Sequence, residues 1–296
     1  MNGILLVDKP AGLTSHDVVD CIRHAAGIRR VGHTGTLDPA ATGLLVLCLG
    51  MATKLSEHLT GLDKVYEGSM RLGVVTDSYD LDGKVLETHP APDIALEDIQ
   101  AVYDRFTGEI MQVPPMVSAV KVGGERLYTR ARQGQTVARE ARPVKVLEFR
   151  ALAYNPPDVT IRVRCTRGTY VRSLCHDVGQ LLGCGGTLAS LRRTFVGQHS
   201  VENALPVEAF KTRKDVLHRL LAMETALELP EVFVSPRLRS IVVTGGTLGA
   251  GDIVGACPVR EGWVQLKLEN GKLLALGHVE GVPVGFRIHA KRVLAS

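Results

Sequence analysis

The sequence has no apolar run approaching the roughly 20 residues that a membrane-spanning helix needs. Its first residues, Met1-Asn2-Gly3-Ile4-Leu5-Leu6-Val7-Asp8-Lys9, have neither the charged start nor the long apolar centre of a secretory signal. They read as a first strand. There is no Gly-Lys-[Ser/Thr] phosphate loop and no Gly-x-Gly-x-x-Gly turn after a strand, which argues against a nucleotide-driven or dinucleotide-dependent reaction. The six cysteines (21, 48, 165, 175, 184 and 257) form no Cys-x-x-Cys pair. Cys48 and Cys165 sit in apolar or alternating runs and read as small core residues. Cys175, His176 and Cys184 lack a fourth ligand at zinc-site spacing. The acidic stretch Thr76–Gly83 fails as a calcium loop, because aligning Asp80, Asp82 and Gly83 to an EF-hand puts Ser78 first and His89 last. Neither metal nor cofactor is expected, and the cytoplasm is the simplest compartment for scattered thiols.

What is present suits a polyanion. A chain of 296 residues with 45% apolar content suggests about two domains with ordinary cores. The net charge of +4 is modest but uneven: residues 119–150 carry +5, residues 231–296 carry +3, and the rest carries −4. Two basic segments offer two places for a nucleic acid to touch, although a surplus of +3 also arises by chance on a solvated face.

One stretch organises the chain: Gly32-His33-Thr34-Gly35-Thr36-Leu37-Asp38-Pro39-Ala40-Ala41-Thr42-Gly43. Its glycines permit unusual backbone angles, Pro39 biases Asp38 away from the helical region, and its threonines can bond to nearby backbone. The apolar run Leu44–Leu49 then reads as a buried strand. A carboxylate on a constrained loop at a sheet edge is either a reactive group or a simple turn cap, and the residues alone weigh these equally.

Around this loop the pattern predicts a helix from Thr14 or Ser15 to about Ala26, stopped by Gly27. Ser15, His16 and Asp17 spell a catalytic triad by letter, but consecutive residues cannot line up in hydrogen-bond series. A helix over 52–60, a strand from Lys64 to Gly73 and a helix over 95–106 follow. Strands at 144–153 and 159–165 flank a turn at Asn155–Asp158. In the second of these, Val159, Ile161, Val163 and Cys165 face inward. Helical sequence runs from Pro206 to about Ala226. Glu228-Leu229-Pro230 reads as a domain join, beyond which short strands between glycines suggest a small barrel or sandwich.

The motif Gly-His-Thr-Gly-x-Leu-Asp-Pro-x-Ala-x-Gly resembles the catalytic signature of the bacterial tRNA pseudouridine synthase B family, which isomerises the T-loop uridine at conventional tRNA position 55. Further segments are similar to that family: Asp8-Lys9-Pro10-Ala11-Gly12-Leu13-Thr14-Ser15, Lys64-Val65-Tyr66, Thr76-Asp77-Ser78-Tyr79-Asp80, Gly168-Thr169-Tyr170-Val171-Arg172-Ser173-Leu174 and Leu191-Arg192-Arg193-Thr194. The resemblance implies that Asp38 is the nucleophile, that Tyr66 stacks on the target uracil and that Arg172 pairs with Asp38. It places Tyr170 as a pocket support, Leu191 as a pocket wall and Asp80 in the surrounding network. Lys9 supports the loop rather than doing chemistry, and His33 fills the place vacated in the RNA stack. Arg192 and Arg193 are phosphate candidates. The Arg-rich segment 123–142, with Arg126, Arg130 and Arg132, corresponds to a thumb that closes on RNA. Val117 stands where the family usually carries tyrosine.

The implied fold is α+β. A mixed, mostly antiparallel sheet with flanking helices occupies residues 1–229, and a PUA-like RNA-binding barrel occupies 230–296. The implied partner is the tRNA T-arm, bound by a monomer without guide RNA. Two rival readings are a tRNA-binding or tRNA-folding protein, and a guide-RNA-dependent synthase of the archaeal and eukaryotic kind, which lacks the thumb.

Overall fold

The computed structural model describes residues 1–118, 121–122, 125–126, 137–283 and 285–295, with side chains described outside 119–136. Its larger sheet begins with β1 (Gly3–Lys9), β2 (Val31–His33), β3 (Thr42–Leu49) and β4 (Lys64–Leu72). After the small hairpin of β5 (Val74–Thr76) and β6 (Val85–Thr88) come β7 (Gly108–Gln112) and the short pair β8 (Lys121–Val122) and β9 (Glu125–Arg126). The sheet is completed by β10 (Arg142–Asn155), β11 (Asp158–Cys165), β12 (Gly186–Val196), β13 (His199–Ser200) and β14 (Leu205–Pro206). Its path is β14-β1-β3-β12-β4-β11-β10-β7, with β2 on β3 and β13 on β12. Among the described residues of this sheet, only β1–β14 and β3–β12 pair in parallel, so the expected mixed, mostly antiparallel sheet is observed.

The sequence pattern explains which faces are covered. β1 is apolar without alternation because both its faces are buried: Ile4 and Leu6 join one core cluster, and Leu5 and Val7 join another. The second cluster receives the helix α1 (Ser15–Ala26) through Val18, Val19 and Ile22. That helix starts at a reciprocal cap between Thr14 and Asp17 and stops at left-handed Gly27, as predicted. β11 alternates as predicted. Val159, Ile161, Val163 and Cys165 are buried against α3 (Leu96–Asp104) and α4 (Val171–Leu181), while Arg162 faces out and pairs with Glu67 and Glu148.

Two helical predictions are corrected. Residues 52–60 divide into a 3-10 turn, Gly50–Leu55, and the short helix α2 (Ser56–Gly61). The run from Pro206 to Ala226 holds only one α-helix, α5 (Arg213–Arg219), flanked by 3-10 turns. Its continuation fails because Leu221 exchanges two backbone hydrogen bonds with Ile4, at 2.8 and 3.0 Å, which draws the chain out along β1.

The smaller sheet contains β15 (Glu231–Val234), β16 (Thr247–Leu248), β17 (Ile253–Val254), β18 (Gly262–Leu268), β19 (Leu273–Gly281) and β20 (Phe286–Val293). Its order is β16-β20-β19-β18-β15-β17, with α6 (Arg239–Val243) against it. This single curled sheet is compatible with a PUA-like domain. It is docked by a shared core in which Leu273, Leu276 and Leu294 join Ile4, Leu44 and Leu55. Arg292 donates to Glu57 at 2.7 Å and Lys54 to the Val293 carbonyl at 2.7 Å across the same seam. Among the described residues no helix is long and apolar enough to cross a membrane.

Candidate active site

The parallel contact between β3 and β12 sets the position of the loop that carries Asp38. Arg193 lies opposite Gly43 in that pairing. Gly43 has φ +102°, and a Cβ there would sit 2.3 Å from the Arg193 carbonyl oxygen, so glycine is required by angle and by space. Three buried side chains then pin the loop. Lys9 directs its ammonium at the carbonyls of Pro10, Leu13 and Pro39, at 2.8, 2.7 and 3.1 Å. Ser15, at the start of α1, accepts from the Leu37 N–H at 2.8 Å and donates to the Leu37 carbonyl at 3.1 Å. Arg193 donates to the Leu44 and Gly35 carbonyls at 2.7 and 3.0 Å. Asp38 is thereby presented by a loop fixed at both ends and in its middle.

A cavity of about 260 Å³ opens beside Asp38, walled by Tyr66, Tyr170, Leu191, Lys64 and Arg193. Tyr66 comes from β4 and Leu191 from β12, which pair with each other. Tyr170 immediately precedes α4 and Arg172 lies in its first turn. Arg172 is buried and shared. One guanidinium nitrogen lies 3.1 Å from Asp38 Oδ2 and donates to the Val117 carbonyl at 2.9 Å. The other meets Asp80 Oδ2 at 3.1 Å and the Ser78 carbonyl at 3.2 Å. Asp80 is steadied in turn by the Ser78 hydroxyl at 2.6 Å. The preceding Tyr79 has φ +67° and stacks on His176, ring centroids 3.9 Å apart. A tyrosine in that backbone region is uncommon, and here it shapes the turn that delivers Asp80 to Arg172.

The electrostatics follow from crowding. Burial pushes the Asp38 carboxyl above its ordinary value, and Arg172 opposes that shift. Burial also raises Tyr66 and Tyr170, so both phenols are neutral at neutral pH. Lys9 and Lys64 are each pulled down to about 8 by burial. His33 is lowered by burial, with Arg193 and His16 adding to the effect, so its imidazole is uncharged.

The structure therefore brings Asp38, Tyr66, Asp80, Tyr170, Arg172 and Leu191 to one place. His33, on β2, lies just before the loop. Arg193 is 2% exposed and lines the cavity, where it donates to two carbonyls of the loop, because its strand position points inward beside β3. Arg192 points the other way and is half exposed, with a two-pronged contact to Asp8 at 3.0 and 2.7 Å. The side chains of Arg126, Arg130 and Arg132, like most of the 123–142 segment, lie outside the described residues. Val117 contributes its carbonyl to Arg172, while its side chain is exposed. Among the described residues no group of three or more His, Cys, Asp or Glu could hold a metal ion.

Residues 23–171 match the family model described as the N-terminal domain of TruB family pseudouridylate synthases, and residues 172–228 match the tRNA pseudouridylate synthase B C-terminal domain. The chain belongs to the TruB family of pseudouridylate synthases. It is therefore an enzyme of the isomerase class. Among its TruB relatives, the tRNA pseudouridine synthase B of Opitutus terrae is 47% identical over 78% of this chain and 90% of its own length. That of Clostridium novyi is 38% identical over 94% of this chain and 95% of its own length. Among solved structures, an H/ACA ribonucleoprotein bound to a substrate RNA containing 2'-deoxyuridine superposes with a TM-score of 0.76 and 26% identity, over 99% of this chain and 85% of that one. An archaeal box H/ACA Nop10–Cbf5 complex gives 0.75 at 26% identity, over 99% and 86% of the two chains.

Three contacts at this candidate site of a TruB-family chain escape a reading of the sequence. Ser15 is dismissed there with the false triad, yet it holds the loop at Leu37. Lys64 donates to the Thr60 and Leu62 carbonyls at the cavity's edge. Gln112 bonds the Tyr170 backbone from both sides. Each lies in a segment similar to the family, Lys64 in Lys-x-Tyr, Ser15 at the end of Asp-Lys-Pro-x-Gly-x-Thr-Ser and Gln112 at the head of the segment around Val117, but none of these segments names the contact.

Proposed function

We propose that this chain converts uridine to pseudouridine in the T-loop of tRNA, at conventional position 55, with Asp38 as nucleophile and without a guide RNA. The observation that carries the reading is the Arg172–Asp38 contact of 3.1 Å at the edge of a cavity walled by Tyr66, Tyr170 and Leu191. The relatives of Opitutus terrae and Clostridium novyi, both named for tRNA, point to tRNA as the substrate.

A base inside a folded loop is out of reach, so the target uridine is extruded into the cavity at a cost of roughly a few kcal/mol. The uncharged ring of His33, just before the Asp38 loop, stacks in the vacated place. Tyr66 packs its face on the uracil. Its raised pKa keeps the phenol protonated, which suits stacking and hydrogen-bond donation. Ionised Asp38, aimed by Arg172, attacks and forms a transient covalent bond to the substrate, which is broken again as the uracil rejoins the ribose through carbon. The bond between ribose and N1 breaks, the uracil turns within the cavity, and a bond to C5 forms. The C5 proton is lost and N1 gains one, so no outside reagent is consumed. Apolar walls and excluded water hold the detached base and sugar together until they rejoin.

Residues 1–229 form the catalytic domain in this reading, with 123–142 as its RNA-clasping thumb. Residues 230–296 form a PUA-like RNA-binding domain. The protein works as a monomer in the cytoplasm. The likeness to H/ACA complexes favours a second reading in which a guide RNA selects the uridine. The Arg-rich 123–142 segment and the relatives named tRNA pseudouridine synthase B support the guide-free reading. Purified protein incubated with unmodified tRNA, without guide or metal, discriminates. Pseudouridine confined to the T-loop supports the proposal. A folded, tRNA-binding protein that forms none overturns it.

A further inference from the structure

Arg172 has no freedom of its own to find Asp38, because it lies in the first turn of α4 and its direction is inherited from the backbone entering that helix. Tyr170 precedes the helix and has no side-chain cap of its own. One buried side chain fixes its peptide planes instead. Gln112, 2% exposed at the end of β7, accepts from the Tyr170 N–H at 2.8 Å and donates to the Tyr170 carbonyl at 3.0 Å. Gripping both polar groups of one residue fixes rotation as well as position, which a single hydrogen bond does not. The segment after Gln112 repeats the attachment. Ser173 donates to the Val113 carbonyl at 3.1 Å, and Arg172 to the Val117 carbonyl at 2.9 Å.

We propose that Gln112 is a positioning residue for the reaction: through the Tyr170 backbone it sets Arg172, and through Arg172 it aims the Asp38 carboxylate. The chemistry favours this over simple packing. A buried primary amide is retained where its donor and acceptor are both used, and both are used here on the residue whose ring walls the cavity. The same grip also joins the strand that leads toward the Arg-rich segment to the helix turn that carries the reacting ion pair. The proposal rests on the reading of Asp38 as nucleophile.

Gln112→Met keeps the side-chain length and removes both hydrogen bonds, and Gln112→Asn withdraws the amide by one methylene. Each is compared with wild type for affinity and single-turnover rate on a T-arm stem-loop RNA across pH. The expected result is RNA affinity within about threefold of wild type and a rate lower by about 10- to 100-fold, as sub-ångström misplacement of a reacting group gives. The acid limb of the rate also moves to higher pH, because Asp38 without a well-placed Arg172 is left to its burial. A merely structural glutamine would lower the amount of folded protein and leave that limb where it was. Rates within about twofold of wild type, or a slower rate with an unmoved acid limb, overturn the proposal. If Gln112→Met does not fold, Gln112→Asn carries the same readouts. An inactive wild type overturns the proposed function instead, so the two failures are distinguishable.

Discussion

Replacing Arg172 by lysine keeps the charge and removes the fork. Arg172 serves four acceptors: Asp38 and Asp80 at 3.1 Å each, the Ser78 carbonyl at 3.2 Å and the Val117 carbonyl at 2.9 Å. A lysine ammonium has three protons on one atom and cannot span two carboxylates and two carbonyls set around a planar guanidinium. At least one of the four acceptors loses its contact, and the planar spacing of the rest is lost with it. Breaking a buried charged arrangement costs roughly 3–5 kcal/mol. The Asp38 side chain is 43% exposed, so water softens its share and the lower end of that range is expected. The rate falls as well: in the proposed mechanism, a nucleophile that is no longer aimed slows the reacting step by about 100-fold, roughly 2.7 kcal/mol of barrier. The pH sign follows from the same geometry. Burial raises Asp38 and Arg172 counters it, so weakening the contact raises Asp38 further and carries the acid limb of the rate to higher pH. Urea unfolding and single-turnover rates from acid to neutral pH measure all three effects. A folded Arg172→Lys protein with a rate within about threefold of wild type and an unmoved acid limb refutes the aiming role.

Arg193→Met strips two loop carbonyls of their donor, each worth about 1–3 kcal/mol, and lowers both the unfolding midpoint and the rate in the same samples. Arg192→Met changes unfolding by less than about 1 kcal/mol, because its pair with Asp8 is half exposed. It weakens tRNA binding and flattens the salt dependence by a slope of about 0.7–0.9, which a titration over salt concentration reads. Gly43→Ala costs about 1–3 kcal/mol from its backbone angle alone. The clash with the Arg193 carbonyl adds to that, so the unfolding midpoint falls and activity falls with it.

What was legible in the sequence was local. The cap of α1 is written in Thr14 and Asp17, its stop in Gly27, and the inward face of β11 in four alternating apolar residues. The motif words around Asp38, Asp80 and Arg172 lie far apart in the chain, and the fold places them within 3.1 Å contacts of one guanidinium. What was illegible depended on pairing between distant segments. Arg192 and Arg193 are neighbours of identical chemistry, and only the parallel register of β12 on β3 sends one outward to Asp8 and the other inward to Gly35. The helix expected across 206–226 breaks because Leu221 finds β1, a contact with no local signature. Gln112 is a single polar residue at a strand end, and its partner lies 58 residues away.

The most direct measurement is the single-turnover formation of pseudouridine by Asp38→Asn on unmodified tRNA, with tRNA binding followed in the same preparation. Asparagine keeps the shape and removes the negative charge that the proposed nucleophile carries. The expected result is wild-type modification confined to the T-loop, tRNA binding by the variant close to wild type, and no pseudouridine formed by it. Pseudouridine formed by Asp38→Asn at the wild-type rate would contradict the assignment of Asp38 as the nucleophile.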